Sequence, residues 1–493
     1  MPTLTVTLVA NEGMFQGLAK QNMLFHNCVG ELIDNAIAAR SSPSKFRVDI
    51  IFSTSSDPEV LNLFIADNGA GMSIDLLGKA LQLGESATTN SRLNEHGFGL
   101  KNALATLSAG NGQWKIWAKA AGQQSVNSVC GPFKGKMELR DDDAFPTEGF
   151  LPADFSTLIW VPVRLRYIQT VQGRGAPAKD LAVLRDWLIE HLGVMYRGYL
   201  EQDGVTYDTG GVIVVSIGTD SVSVPPVQVP FANRTTDYID VELGGKVHKL
   251  TYMHGTLDEV KRDILVKGKR AKYYYQKNIP TQGIDIRLGK RVIATRQFET
   301  IWKTDDGLSQ LSRHNNYNDF VGELLIPELP RGVLSTVNNK TDFNLDDPDW
   351  SKIFDRMNSI RPPKQIREKS ETELRKKWMA MLKATSPDDV VTDEMSVWPT
   401  GTCIDVYRST PQGKIIVYEL KVGSGTPLHL YQLKMYWDGL VIDKKQKPSE
   451  GVLMVEDFAA NLEYMANLMN QMTPPKESNP YNFKIVRLKD NGL

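Results

Sequence analysis

The order of the short apolar segments is the feature that most limits how this chain can fold. Between Ala19 and Ala39, apolar residues recur at steps of three and four, which predicts a helix with one buried face. The alternating run Phe46–Phe52 and the continuous apolar run Leu61–Ala66 follow at once and predict two strands. A helix followed directly by two strands favours an α+β sandwich over the strict alternation of a doubly wound parallel sheet.

Further patterns divide the chain into four regions of a multidomain α+β protein. Their predicted bounds are 1–165, 166–350, 351–395 and 396–493. The first region also contains strand patterns at 114–118 and 157–163. The second is mixed, with a helix pattern at 181–195 and strand patterns at 211–217, 247–253, 284–293 and 320–326. The third is a charged helix that is either a linker or the first helix of the last region.

Composition excludes several classes of protein. The 493 residues carry 57 Lys+Arg against 58 Asp+Glu, so any contact with nucleic acid must come from local basic patches. The three cysteines lie far apart in the sequence, which argues against a disulfide framework or a zinc finger. No apolar run approaches the roughly 18–20 residues of a membrane span, and no secretion signal is evident. We therefore expect a cytoplasmic protein without a membrane partner.

The first region contains candidate elements of a nucleotide site, although no Gly-Lys pair is followed by Ser or Thr as in a P-loop. Glu31 and Asn35 lie four residues apart on one helical face, so a carboxylate and an amide oxygen can point together at a metal-bound phosphate. Asp67 ends a strand pattern, and Gly69 and Gly71 allow the backbone to pass close to a ligand.

A glycine turn at Gly97–Gly99 opens the next helix, where unbonded N–H groups favour phosphate. Taken singly, these three segments are also compatible with an exposed helix edge, an ordinary turn and a helix-start loop. Together and in this order, they resemble the Bergerat-fold nucleotide-binding domain of gyrase B, Hsp90, histidine kinases and MutL, and most closely the MORC ATPases.

This resemblance implies ATP and Mg²⁺ as ligands. Glu31 would be the general base that activates water, and Asn35 would bind Mg²⁺. Asp67 would accept a hydrogen bond from the adenine amino group, and residues 84–89 would form a lid. The other residues implied to contact the nucleotide are Gly69, Gly71, Met72, Gly97, Phe98, Gly99, Leu100, Lys101 and Thr157. Ser156 stands where the family has glycine before the threonine.

The comparison also separates members of the superfamily. Histidine kinases carry Asn where Glu31 stands, so a kinase is disfavoured, and His26 is expected to pack rather than to catalyse. The second region resembles the MORC transducer domain, in which Lys340 matches the lysine that reaches the γ-phosphate. A surface lysine in an Asn-rich turn is the alternative for Lys340. The family implies that ATP binding drives homodimerisation.

A second candidate site lies in the last region. Asp405 is followed, after a turn, by a strand that carries Glu419 and Lys421 on one face, so two carboxylates and an ammonium group converge. Such a set suits Mg²⁺ or Mn²⁺ and the hydrolysis of phosphodiesters. Gln432 and Tyr436 share one face of the following helix.

This arrangement resembles the PD-(D/E)xK nucleases, a restriction-endonuclease-like α/β fold, and the QxxxY feature of their RecB-like branch. Asp405 lacks the preceding proline of that motif. Glu371 or Glu373 could supply the upstream acidic residue of the superfamily, although an exposed helix face also explains both. Cross-strand charge pairing in an ordinary sheet is the alternative interpretation of the Glu-x-Lys strand.

A basic stretch in the second region is a candidate nucleic-acid contact. It contains Lys267, Lys269, Arg270 and Lys272 next to the tyrosines Tyr273–Tyr275, which would fit phosphate contacts with base stacking. A solvated basic loop with the tyrosines in a strand is the alternative.

These patterns predict an ATPase that couples its ATP state to metal-dependent endonuclease activity, with DNA as the expected partner. The resemblance implies a role in prokaryotic antiphage defence or restriction, and it allows partner subunits from a defence operon. The alternative is a non-nucleolytic, ATP-switched DNA clamp or compaction factor of MORC type. A chaperone-like ATPase ranks last because it leaves Asp405, Glu419 and Lys421 without a task.

Overall fold

A computed structural model describes residues 12–20, 23–40, 46–84, 93, 97–173, 175–200, 211–336, 344–363, 371–398 and 402–493. The chain divides into two compact units, residues 1–365 and 366–493. The described part of the first unit contains two large sheets, and that of the second contains one.

The first sheet has eight strands in the order β5-β4-β3-β6-β2-β1-β7-β8. Its strands are β1 (Arg47–Thr54), β2 (Val60–Asp67), β3 (Lys115–Ala118), β4 (Val126–Cys130), β5 (Leu139–Asp143), β6 (Thr157–Arg164), β7 (Val212–Ile217) and β8 (Asp220–Ser223). The helices of this region are α1 (Glu12–Leu18), α2 (Phe25–Ala38), α3 (Ile74–Leu81), α4 (Gly99–Leu107), α5 (Leu165–Ile168), α6 (Leu181–Met195) and α7 (Arg197–Leu200). All neighbouring strands are antiparallel except β1 and β7.

The first sheet extends beyond the predicted boundary at residue 165. β7 pairs in parallel with β1, from Arg47 opposite Val212 to Phe52 opposite Ile217. β1 is therefore an interior strand and is buried on both faces, which explains why its alternating pattern does not leave one face exposed. Strand pairing thus places residues 212–223 with the first region rather than the second.

The second sheet has the order β12-β11-β13-β10-β9. Its strands are β9 (Phe231–Leu243), β10 (Lys246–Leu257), β11 (Gly283–Leu288), β12 (Arg291–Gln297) and β13 (Phe320–Ile326), and its helices are α8 (Glu259–Asp263) and α9 (Pro348–Asn358). The segment 284–293, predicted as one strand, is a hairpin because the chain turns at Gly289, where φ is +58°. Trp350, Ile353 and Phe354 pack α9 into the core of this sheet.

The second unit contains the sheet β14-β15-β16-β17-β18. Its elements are β14 (Val390–Ser396), β15 (Cys403–Ser409), β16 (Ile415–Leu420), β17 (Pro448–Val455), β18 (Phe483–Arg487), α10 (Glu371–Thr385), α11 (Pro427–Gly439) and α12 (Ala460–Met469). One face of the sheet packs on α10, and the other packs on α11 and α12.

These contacts divide the predicted helical linker at 351–395. α9 packs in the core of the second sheet, whereas α10 and β14 belong to the sheet of the second unit. Among the described residues, no helix combines the length and the apolar character needed to cross a membrane.

Candidate functional site

Helix α2 carries the predicted base of the nucleotide site. Glu31 is only 2% exposed, and a side-chain carbon added at Gly99 would lie 2.0 Å from its Oε2 atom. Any side chain at the first residue of α4 would therefore displace this carboxylate from its present position. One turn further along α2, the buried Nδ2 atom of Asn35 has no hydrogen-bond partner among the described residues. Glu31 thus lies where α2 meets the start of α4, and Asn35 leaves a buried amide donor on the same helix.

Asp67 lies at the other end of this site, where β2 ends. The N–H of Gly69 donates to its Oδ1 atom at 2.9 Å, and the side chain of Thr157, opposite Asp67 in the sheet, donates to the same carboxylate. Burial raises the pKa of Asp67 to about 6, although both hydrogen bonds oppose that increase. The structure therefore joins two predicted contacts, Asp67 and Thr157, that lie 90 positions apart in the sequence.

The loop after Asp67 is fixed by close backbone contacts. Ser156 donates from Oγ to the carbonyl oxygen of Gly69 at 2.7 Å, so the serine that replaces the family's glycine ties this loop to β6. Gly71 has a φ of +64°, and a Cβ atom there would lie 1.9 Å from the carbonyl oxygen of Lys119. Met72 is held through its carbonyl oxygen, which accepts from Asn127 at 2.8 Å. Only glycine can therefore occupy position 71.

In the predicted phosphate-binding segment at residues 97–101, the structure supports the glycine turn but not a free lysine. Gly97 has a φ of +65°, Phe98 precedes α4, and Leu100 lies in its first turn. Lys101 is 2% exposed and donates from Nζ to the carbonyl oxygen of Ala80 at 3.0 Å. Its role at a phosphate stays a prediction that would require this ammonium group to reorient. Lys340 and residues 85–89 of the predicted lid lie outside the described residues.

A buried ion pair behind this site was not predicted. Asp34 is 0% exposed and lies 3.1 Å from Nε of Arg291 on β12. The hydroxyl of Tyr196 lies 2.8 Å from Asp34 Oδ1 and 2.7 Å from the carbonyl oxygen of Gly30, and these two acceptors share its one proton. Burial disfavours the charged guanidinium, yet Asp34 holds the pKa of Arg291 above its ordinary value. One indication of this pair was available in the sequence, because Asp34 lies within the apolar repeat of a buried helix and a buried charge needs a partner.

His26 lies on the same helix and packs as predicted. Its ring is stacked on that of His191 with centroids 3.8 Å apart, and it is 7% exposed. The structure gives it no contact with Glu31 or Asp67 among the described residues.

The second candidate site is assembled by β15, β16 and α10. The strands pair antiparallel up to Val406 opposite Tyr418, so Asp405 and Glu419 follow in register on neighbouring strands. Lys421 places Nζ 2.9 Å from Glu419 Oε1 and 3.1 Å from Glu371 Oε2. Of the two upstream glutamates considered, Glu371 is thus the one that contacts Lys421.

The charges in this cluster are unevenly compensated. Glu419 is 0% exposed, Lys421 lies 2.9 Å from its Oε1 atom, and the side chain of Tyr436 also contacts its carboxylate. Burial and the carboxylate of Asp405 raise the pKa of Glu419 to about 8, while Lys421 opposes the increase. Asp405 Oδ2 accepts from the backbone N–H of Leu420 at 2.9 Å. The cluster holds two neighbouring acids whose repulsion a bound cation would relieve.

Asp405 and Glu419 suit a cation that takes few of its ligands from the protein. Among the described residues, no three or more His, Cys, Asp or Glu side chains converge as a metal-binding group. Mg²⁺ commonly uses one or two carboxylates and completes its shell with water and phosphate oxygens. Asp405 and Glu419 could supply that number.

Helix α11 covers this cluster. Gln432 donates from Nε2 to the hydroxyl oxygen of Tyr436 at 2.7 Å. Tyr436 is 2% exposed, and burial together with the nearby Glu419 raises its pKa. The structure therefore brings the predicted Gln432–Tyr436 pair to the carboxylate cluster.

The basic stretch in the second region is largely neutralised. Lys269 lies 2.9 Å from Asp186, and Arg270 lies 3.7 Å from Asp263. Among the described residues, the ammonium groups of Lys267 and Lys272 have no carboxylate within 4.0 Å, although the backbone N–H of Lys272 donates to Glu190 at 2.7 Å. These contacts leave two of the four predicted basic side chains available to a phosphate.

The prediction that the adjacent tyrosines stack on bases is wrong for Tyr274 and Tyr275, which are 4% and 6% exposed. Tyr274 is hydrogen-bonded through its hydroxyl to His191 Nδ1 at 2.9 Å, and Tyr275 donates to Asp285 at 2.6 Å. Both rings are core residues.

Comparison with known proteins gives one finding on function. A search of curated proteins returns no match to this chain. Residues 23–133 match the family described as "Histidine kinase-, DNA gyrase B-, and HSP90-like ATPase". The matched range contains Glu31, Asn35, Asp67 and Gly99, and it confirms the predicted ATPase domain. Residues 23–133 therefore form an ATPase domain of the histidine kinase, DNA gyrase B and HSP90 type.

Proposed function

We propose that this protein uses the ATP state of its first unit to control metal-dependent endonuclease activity in its second unit. ATP binding and hydrolysis follow from the ATPase domain at residues 23–133. The nuclease activity is supported by one observation above all, the convergence of Asp405, Glu419 and Lys421 on neighbouring strands with Lys421 held between two acids.

Each side chain of the cluster has a task in phosphodiester hydrolysis. Asp405 and Glu419 would hold Mg²⁺ or Mn²⁺, which supplies Lewis-acid polarisation of the phosphate and a more acidic bound water. Lys421 is positioned by Glu371 and Glu419, so its ammonium group can donate to the attacking water or to a phosphate oxygen as negative charge develops there. The Gln432–Tyr436 pair supports Glu419 from α11.

The link between the units comes from the resemblance to MORC ATPases. In that scheme ATP binding produces a homodimer on DNA, Lys340 contacts the γ-phosphate, and Lys267 and Lys272 supply phosphate contacts. The biological setting would be prokaryotic antiphage defence or restriction. ATP hydrolysis would reset the dimer after cleavage.

Cleavage of plasmid DNA by the purified chain tests this proposal. Reactions contain Mg²⁺, Mn²⁺ or EDTA, each with and without ATP, and a parallel series contains RNA. We expect metal-dependent cutting that changes with ATP, and a loss of roughly 10²- to 10⁴-fold in Lys421→Ala. Lys484→Ala is the control because this lysine lies in the same unit, on β18, where it pairs with Glu450 at 3.1 Å.

Two outcomes would reject the nuclease assignment. Equal cutting by wild type and Lys421→Ala would assign the activity to another site or a contaminant. Absence of cutting in every condition, together with ATP-dependent retention of circular DNA, would identify the protein as a DNA clamp.

A further inference from the structure

A small cavity lies beside the start of helix α2, outside both sites described above. It has a volume of about 170 Å³ and is lined by the start of α2, by β12 and by Tyr273 and Tyr274. This is below the roughly 300–1,000 Å³ of typical pockets for drug-sized ligands. The cavity therefore suits a small ion or functional group rather than a whole nucleotide.

Two arginines of β12 give this cavity a positive wall. Arg296 donates from Nη2 to the hydroxyl of Tyr273 at 3.1 Å and lies 4.6 Å from the centre of its ring. No carboxylate lies within 4.0 Å of Arg296 among the described residues, whereas Arg291 is paired with Asp34. One guanidinium charge at the cavity is thus left uncompensated.

The start of α2 adds to this positive potential. The N-terminus of a helix carries a partial positive charge. The N–H of Phe25 donates to Thr170 Oγ1 at 3.0 Å and that of Asn27 to the carbonyl oxygen of Leu24 at 3.0 Å, so the contribution here comes from the helix dipole. Leu24, His26 and Asn27 all line the cavity.

His26 is an independent sign that this cavity accommodates a polar ligand. Its side chain lines the cavity and is 7% exposed, yet its buried Nδ1 atom has no hydrogen-bond partner among the described residues. Buried polar atoms normally find a partner. Burial, followed by His191, Arg296 and Arg291, lowers the pKa of His26 well below its ordinary value. The nearby guanidinium groups thus disfavour a positive charge on this ring, and the same groups would attract an anion.

We propose that this cavity binds a phosphate group, either as inorganic phosphate or as part of a small phosphoester. A phosphate carries several acceptor oxygens, which matches guanidinium donors, an imidazole and the positive end of a helix dipole around one small space. Because Arg291 lines the cavity and also pairs with Asp34, the bound anion competes with Asp34 for one guanidinium. The site is thereby connected to the helix that carries Glu31, and its existence does not depend on nuclease activity.

Calorimetric titration of the full chain tests the assignment. Inorganic phosphate and glycerol 3-phosphate are titrated separately while a non-hydrolysable ATP analogue with Mg²⁺ saturates the nucleotide site. We expect one phosphate-binding event in the wild type, and binding that is weaker by about tenfold or more in Arg296→Ala. Whichever titrant binds more tightly identifies the source of the phosphate group.

A second variant is needed because Arg296→Ala also removes a side chain that packs on Tyr273. Leu24→Glu places a carboxylate at the cavity, and Leu24 is 36% exposed, so the core is preserved. We expect Leu24→Glu to abolish phosphate binding through repulsion, while the exposed Arg234→Ala control binds as the wild type does. Absence of binding in the wild type, or unchanged binding in both cavity variants, would overturn the proposal.

Discussion

Each unit buries a carboxylate at its candidate site, but the two carboxylates have opposite surroundings. Asp67 is contacted by the neutral donors Gly69 and Thr157, and its pKa is raised to about 6. Glu419 faces a second acid, Asp405, and its pKa is raised to about 8. The polar contacts of Asp67 thus all stabilise its charge, whereas Glu419 lies between Lys421, which stabilises its charge, and Asp405, which repels it.

The difference indicates what kind of ligand each carboxylate is arranged to receive. A hydrogen-bonded carboxylate can accept one more donor from a neutral group such as an amino group. A carboxylate beside another acid is best compensated by a cation. Burial alone is therefore a poor guide to function, and the identity of the adjacent groups distinguishes a proposed base-recognition site from a proposed metal site.

The largest expected effect is on ATP turnover, and it should leave ATP-independent DNA cutting at the second site unchanged. Glu31→Gln should lower ATP turnover roughly 10²- to 10⁴-fold, because the amide cannot accept a proton from water. Binding of ATP, measured by fluorescence, should persist, and so should any DNA cutting that occurs without ATP. Glu59→Gln, an exposed change in the same unit, serves as the control. Unchanged phosphate release in Glu31→Gln would remove this residue from the mechanism.

An intermediate effect concerns the pH dependence of ATP binding. Because the pKa of Asp67 is about 6, this group is mostly ionised at pH 7 and mostly protonated at pH 5. Only the ionised form can accept fully from an adenine amino group, so affinity should fall about tenfold as the pH drops from 7 to 5. Binding curves for the wild type and Asp67→Asn check this. The comparison fails if both proteins lose affinity in parallel, since the ligand alone would then explain the change.

The smallest expected effect concerns the outer member of the second site. Glu371 is 43% exposed in its side chain, so its ion pair with Lys421 should contribute less than about 1 kcal/mol to stability. Glu371→Gln should therefore lower the free energy of unfolding in urea only slightly and slow cleavage only a few-fold, with Glu373→Gln as its control. A loss as large as that of Lys421→Ala would show that Glu371 acts directly on the metal or the substrate.

Local patterns in the sequence predicted the elements whose stability is local. The bounds of α6 at 181–195 and of β13 at 320–326 agree with their patterns, because apolar periodicity depends on neighbouring residues. The pairing of β7 with β1 had no such indicator, since residues 150 or more positions apart are brought together only by the fold. The hairpin at Gly289 was detectable in principle from its Gly-Lys pair.

The candidate sites show the same division. Short motifs located Glu31, Asp67 and Glu419, because each lies at a helix face or strand end that the motif itself defines. The ion pair of Asp34 with Arg291 joins positions 257 residues apart, and no local pattern connects them. The burial of Tyr274 could not be predicted either, because a tyrosine beside lysines has the same sequence pattern at a surface and at the edge of a core.

The parallel pairing of β1 with β7 has a practical consequence for anyone who shortens this chain. The family match ends at residue 133, and a fragment cut at residue 165 would lack β7 and β8 of the sheet. β1, whose residues Ile50 and Phe52 are 0% and 1% exposed, would then become an edge strand of the sheet. Its unpaired backbone groups could pair with another chain, so the fragment would tend to aggregate. Soluble expression of the ATPase region should therefore require a fragment that continues through Ser223.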